Sequence, residues 1–104
     1  MPNAMEGAMS IVRLIHVTYA TEKADKAANY WKQKIGGLIA QQPGCLSEQL
    51  LRCHDVPNEF VSLSEWDSEE SIRTYLASPA YHEARNHHRL MGGGDVAVRM
   101  YERV

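Results

Sequence analysis

The chain has 104 residues, of which 44% are hydrophobic and 23% charged, and its formal net charge is −2. That length supports one domain with a single core, and the near-neutral charge gives no general case for binding nucleic acid or an anionic membrane. No apolar run approaches the ~20 residues a bilayer-spanning helix needs, and no basic segment followed by an apolar stretch marks a secretion signal, so a cytoplasmic protein is expected.

Met1 to Ser10 has no periodicity and reads as a disordered start or an expression remnant, leaving one domain over residues 11–104. Ile11 to Tyr19 (IVRLIHVTY) is rich in β-branched and apolar residues and predicts a central strand. His16 is an imidazole inside this run, either a neutral core histidine satisfied by a hydrogen bond or a titratable group available to chemistry. Thr21 to Gln42 predicts a helix with Thr21 as N-cap. Its apolar face is Ala24, Ala27, Ala28, Trp31, Ile35, Leu38 and Ile39. Gly36-Gly37 interrupts that helix and predicts a kink or a close approach to another backbone. Pro43-Gly44 is a turn.

Cys45 to His54 predicts a second strand, Asp55 to Asn58 a hairpin loop, and Glu59 to Trp66 the returning third strand. Eight residues of strand separate Cys45 from Cys53, roughly 26 Å at the usual rise, too far for a disulfide within one subunit. Two cysteines at this spacing make no zinc site either, and small buried hydrophobes is the plain reading. By the period-2 rule Phe60, Ser62, Ser64 and Trp66 share one strand face. Asp67 is the expected N-cap of the next helix with Glu70 closing a capping box, and Ile72, Tyr75 and Leu76 form its inward stripe. Ser78-Pro79 stops that helix and starts another as N-cap and first residue. The last helix runs from Ala80 to Met91, Gly92 to Gly94 ends it, and Val96 to Tyr101 is the fourth strand. The order β-α-β-β-α(α)-β predicts an α+β, ferredoxin-like split βαβ fold: a four-stranded antiparallel sheet with its helices on one face. The other face, lined by Val61, Leu63, Ile15 and Val17, then needs a partner, and a two-fold homodimer is the economical one.

Few motifs carry chemistry. His82-Glu83 followed by His87 is HExxxH, which places the imidazoles about 140° apart around a helix, so they cannot share a metal. The run Arg85, His87, His88, Arg89 is either a solvated polar face or a source of one cation for a site near Trp66. Gly92 to Gly94 lacks the flanks of a nucleotide loop. Trp31, Trp66, Tyr75 and the other aromatics are core by default. Ser62 and Ser64 beside Trp66 nevertheless suggest a cavity there rather than a filled core.

Gln42-Pro43-Gly44-Cys45, the hairpin Asp55 to Asn58, Phe60-Val61, Glu65-Trp66-Asp67-Ser68-Glu69-Glu70 and Leu76-Ala77-Ser78-Pro79 together resemble the antibiotic biosynthesis monooxygenase (ABM) family of dimeric α+β barrels, over Ile11 to Val104. The resemblance implies a homodimer through the open sheet face, with a small-molecule pocket between sheet and helices in each subunit. It also implies a cofactor-independent monooxygenase of a small aromatic, polyketide or quinol-like substrate. In that chemistry a deprotonated phenol itself reduces dioxygen, and the protein supplies a base, positioning and exclusion of water. Mapped onto this chain, His16 is the candidate base, Trp66 the pocket wall, and Arg85 or His87 the phenolate partner; Ser62, Ser64, Tyr75 and Trp31 line the substrate pocket. No cofactor or metal is expected. Haem is the alternative, either bound or degraded, and a dimer without catalytic activity is a third reading. Two departures stand out: Ser62 occupies the position where polyketide-type members carry Asn, and Arg85 the position where haem-degrading members carry an axial His.

Overall fold

Alternating burial along the two central strands sets the architecture. The computed structural model describes residues 10–104; the segment expected to be disordered lies, over residues 1–9, outside the described residues. Ser10 is described: it is buried, and its hydroxyl donates to Glu65 Oε2 at 2.6 Å. The order is β1 (Ile11–Thr18), a helical run over 21–40, β2 (Cys45–Arg52) and β3 (Glu59–Trp66). Helices α3 (Glu69–Leu76) and α4 (Pro79–Leu90) and strand β4 (Ala97–Glu102) follow. Within the run over 21–40, a 3₁₀ turn (Thr21–Lys23) leads into α1 (Ala24–Tyr30), a π-helical turn (Trp31–Ile35) and α2 (Gly36–Ala40). The four strands pair antiparallel in the order β2-β3-β1-β4. This is the expected α+β, ferredoxin-like fold.

β3 alternates without exception: Phe60, Ser62, Ser64 and Trp66 are buried under the helices, and Val61, Leu63 and Glu65 face the other way. Cross-strand register then assigns β1. Ile15 lies opposite Ser62 and Arg13 opposite Ser64, whereas Leu14 meets Leu63 and His16 meets Val61. Ile15 and Val17 therefore pack against the helices and do not line the open face as the sequence suggested. The open face is made instead by Val12, Leu14, Val61 and Leu63, joined by Leu51 of β2 and Tyr101 of β4 through their pairing partners.

The stripe expected of the first helix is the stripe that is buried, with Ala24, Ala27, Trp31, Ile35 and Ile39 inaccessible and Ala28 and Leu38 half-buried. Its interruption is a π turn in which the Gly36 amide reaches back to the Trp31 carbonyl. Gly36 approaches a side chain rather than a backbone: a Cβ there would sit 2.8 Å from Glu48 Oε1. The Glu48 carboxylate accepts from Ser62 Oγ at 3.1 Å and from Trp31 Nε1 at 3.4 Å, so strand, helix and buried serine share one acceptor.

Helix starts differ from expectation in two places. Thr21 caps nothing; Ala20 precedes the first turn with no side-chain cap. Ser68, not Asp67, is the N-cap of α3, its hydroxyl accepting from Ser71 N at 3.1 Å. Asp67 reaches over the same turn and accepts from Ser71 Oγ at 2.6 Å. Ser78 caps α4 and Pro79 is its first residue, as the Ser-Pro step dictates. The core joins Ile15, Trp31, Ile35, Ile39, Trp66, Ile72, Tyr75 and Ala84, with a second cluster of Val17, Tyr19, Ala24, Ala27 and Phe60 toward the other end of the sheet.

Candidate active site

A cavity of about 790 Å³ opens between the sheet and the helices. Its floor is Arg13 and Ile15 from β1 and Val98 from β4. One wall is Trp31 and Ile35, the two ends of the π turn, with Ile39 of α2. The opposite wall is Tyr75 of α3 with Tyr81, Ala84, Arg85, His88 and Arg89 of α4, and the loop from Gly93 to Val96 forms the rim. Helical spacing explains the α4 wall: positions 81, 84, 85 and 88 fall on one face at i, i+3, i+4, i+7.

Of the residues singled out in the sequence, Trp31, Tyr75 and Arg85 meet here. Trp66 does not line the cavity. It is wholly buried behind Tyr75, whose ring stacks on it at 5.5 Å and 26°. Its Nε1 donates to Ser64 Oγ at 2.8 Å. Ser62 and Ser64 are equally inaccessible, so the small side chains beside Trp66 make room for filled core rather than for a ligand. His87 turns to the first helix: Nδ1 lies 2.8 Å from the Tyr30 hydroxyl and Nε2 3.5 Å from Glu83. His16 stands exposed on the opposite face of the sheet. The period-2 rule separates it from Arg13 and Ile15, so it cannot serve as a base for this cavity.

His88 takes the place expected of His87. Its Nε2 lies 2.9 Å from the Gly94 carbonyl, which can only accept, so that nitrogen carries the proton. Nδ1 faces the Tyr19 hydroxyl at 3.4 Å. The ring is thereby fixed against the rim, and Gly93 passes so close that a Cβ would lie 2.1 Å from it. The triple glycine is a close-packed rim, not a slack linker. Arg85 lies over the Tyr81 ring at 5.8 Å, and Tyr81 meets Tyr75 edge-on at 5.4 Å. Arg13, which the sequence reading passed over, and Tyr81, which it took as core, also line the cavity. Parity was the signal for Arg13, since it shares a strand face with Ile11, Ile15 and Val17.

Burial pushes the Tyr75 hydroxyl up to about 12, only partly offset by the Arg13 charge, and pushes Tyr19 up to about 12 as well. Both phenols stay neutral at physiological pH, and the Tyr19 hydroxyl donates to His88 Nδ1. In an alkaline titration followed by phenolate absorbance, Tyr75 and Tyr19 are expected to ionise only as pH approaches about 12. A pKa raised in the folded state adds stability that is complete below the unfolded value near 10 and is lost as pH climbs from about 10 toward 12. Ionisation of Tyr75 and Tyr19 near pH 10 while the native circular dichroism persists, assigned with Tyr75→Phe and Tyr19→Phe variants, would contradict this.

Among the described residues no three His, Cys, Asp or Glu side chains cluster closely enough to hold a metal ion, and no helix is long and apolar enough to cross a membrane. Haem does not fit the imidazoles present. Both ring nitrogens of His88 are engaged, and those of His87 turn to Tyr30 and Glu83.

No curated protein matches the sequence. Solved structures match the fold closely. A Deinococcus radiodurans protein described provisionally as an antibiotic biosynthesis monooxygenase superposes with a TM-score of 0.77 at 20% identity, over 90% of this chain and 92% of that one. A conserved protein from Methanosarcina mazei gives 0.76 at 17% identity, over 95% and 97%. SnoaB, a cofactor-independent oxygenase from Streptomyces nogalater, gives 0.71 at 19% identity, over 92% and 94%. At such identities these likenesses establish the fold alone. The family whose sequence pattern matches residues 10–87 is described as antibiotic biosynthesis monooxygenase. The chain belongs to the antibiotic biosynthesis monooxygenase family.

Proposed function

We propose that the protein is a homodimeric, cofactor-independent monooxygenase of a small aromatic or quinol-like molecule. The observation that carries this reading is the cavity itself: three aromatic walls, Trp31, Tyr75 and Tyr81, with the Arg85 guanidinium at one side. Flat walls hold a flat ring, and a cation beside it stabilises the phenolate or enolate from which electrons pass to dioxygen. With an anthrone as substrate the balance is simple. The methylene carbon loses two hydrogens and gains one oxygen atom as a carbonyl, and the second oxygen atom leaves with those hydrogens as water. Membership of the family and the likeness to SnoaB support a reaction without a bound cofactor. Asp95, the acid on the rim, is the candidate to receive the first proton.

Oxygen uptake and quinone absorbance with anthrone, with no flavin or metal added, test the reading. The wild type is expected to exceed the buffer rate, and Arg85→Ala to lower kcat/KM by about tenfold or more. A His16→Ala variant is expected to match the wild type per folded molecule, because that imidazole faces away from the cavity. Wild-type uptake no faster than buffer would sink the proposal. A Soret shift on titration with haem would favour the haem alternative instead.

A further inference from the structure

We propose that Arg13 is the anchor of the cavity's ligand, and that this ligand carries a carboxylate which docks on the Arg13 guanidinium beneath its aromatic ring. The proposal rests on the reading of the cavity as a ligand site and goes beyond it by assigning the ligand a charge and an orientation. Arg13 is 5% exposed, yet among the described residues its guanidinium has no hydrogen bond and no ion pair. An arginine keeps its charge and presents five donors in a planar fork, and a buried charge without an acceptor is strongly disfavoured. The fold nevertheless places this one in the lining of the cavity.

No neighbour relieves it. The titratable groups acting on it are Tyr75 and Tyr81, both phenols, and desolvation is the stronger influence, lowering its pKa. Across the sheet its partners in register are Ser64 and Met100. Glu48, which pairs with Ser64 one strand further on, spends its carboxylate on Ser62 and Trp31. Around the cavity Arg13, Arg85 and Arg89 face one acid, Asp95, so the lining carries an excess of positive charge even with His88 neutral. A single planar fork at the floor of an aromatic slot matches a carboxylate, which accepts two parallel N–H bonds. A cavity of about 790 Å³ accommodates a fused aromatic system above it.

The test uses a matched pair of fluorescent probes, anthracene-2-carboxylate and anthracene-2-carboxamide, titrated into the full chain. The wild type is expected to bind the carboxylate at least about tenfold more tightly than the amide, the usual scale for a hydrogen bond to a charged group. Arg13→Met is expected to abolish that preference while leaving the amide's Kd within about twofold, because shape is kept and only charge and donors are lost. Arg13→Lys is expected to retain part of it. Should Arg13→Met fail to fold, the wild-type ratio and the Arg13→Lys ratio still decide. Equal binding of the two probes by the wild type overturns the proposal but leaves the cavity reading intact. So does a preference that survives Arg13→Met and disappears in Arg85→Met. Failure of the wild type to bind either probe overturns the proposal, and if anthrone is also not oxidised the reading of the site falls with it.

Discussion

Replacing Trp66 by alanine is expected to lower the unfolding free energy by about 3–5 kcal/mol, the range for deleting a large aromatic from a well-packed core. The side chain is wholly inaccessible, its ring is stacked on Tyr75, and its Nε1 is bonded to Ser64. Alanine would remove the ring and leave a void that Ile72 and Tyr75, themselves held in the same cluster, can fill only partly. Trp66→Phe separates the two contributions: it keeps a ring against Tyr75 and loses the indole N–H, at an expected cost of about 1–2 kcal/mol from the bond and the looser fit. Urea denaturation read by far-UV circular dichroism measures both. A Trp66→Ala protein as stable as the wild type but inert toward substrate would return Trp66 to the role of a pocket residue. The expected result is the reverse: activity lost in proportion to the folded fraction and to the displacement of Tyr75.

Trp66 also shows where the sequence was legible and where it was not. Its strand, its turn and the Ser78-Pro79 break follow local rules of alternation, capping and fixed φ, and β3 has the bounds the alternation predicts. The helical stripe through Trp31, Ile35 and Ile39 is legible for the same reason, since period alone decides which residues are buried together. What period leaves open is which of two faces receives the helices. On β1 both are apolar, Ile11, Ile15 and Val17 against Val12 and Leu14, so the alternation divides the strand without orienting it. Register with β3 orients it, and register is a property of the folded sheet. That one missing fact put His16 with Trp66 and left Arg13 unnoticed. The confusion of His87 with His88 has a similar origin: adjacent positions on a helix diverge by about 100°, and only packing of α4 against the π turn fixes which of the two looks inward. The substitution of Ser68 for Asp67 as cap is smaller, a shift of one residue between two side chains that both bond the same turn.

On the proposed homodimeric reading, a Leu63→Asp variant is expected to be monomeric and the wild type dimeric. Leu63 sits at the middle of the sheet face that no helix covers, opposite Leu14 on β1 and Gln49 on β2, and Val12, Val61, Leu51 and Tyr101 extend the apolar surface around it. Stable interfaces between small proteins bury about 800 Å² on each partner, and a four-stranded face of this composition is the surface available for it. Placing a carboxylate at its centre would bury an unpaired charge in an apolar interface. The core between sheet and helices is untouched, because Leu63 points away from it, so the variant is expected to keep the far-UV spectrum while its thermal stability loses the dependence on protein concentration that a dimer shows. Sedimentation equilibrium at tens of micromolar distinguishes the outcomes, and a monomeric wild type would remove the dimer. The experiment bears on the cavity too. β1 presents Leu14 and His16 to the open face and Arg13 and Ile15 to the cavity floor, so one strand joins the two surfaces. If the two surfaces are coupled through β1, anthrone turnover by Leu63→Asp is expected to fall although no residue of the cavity has been changed.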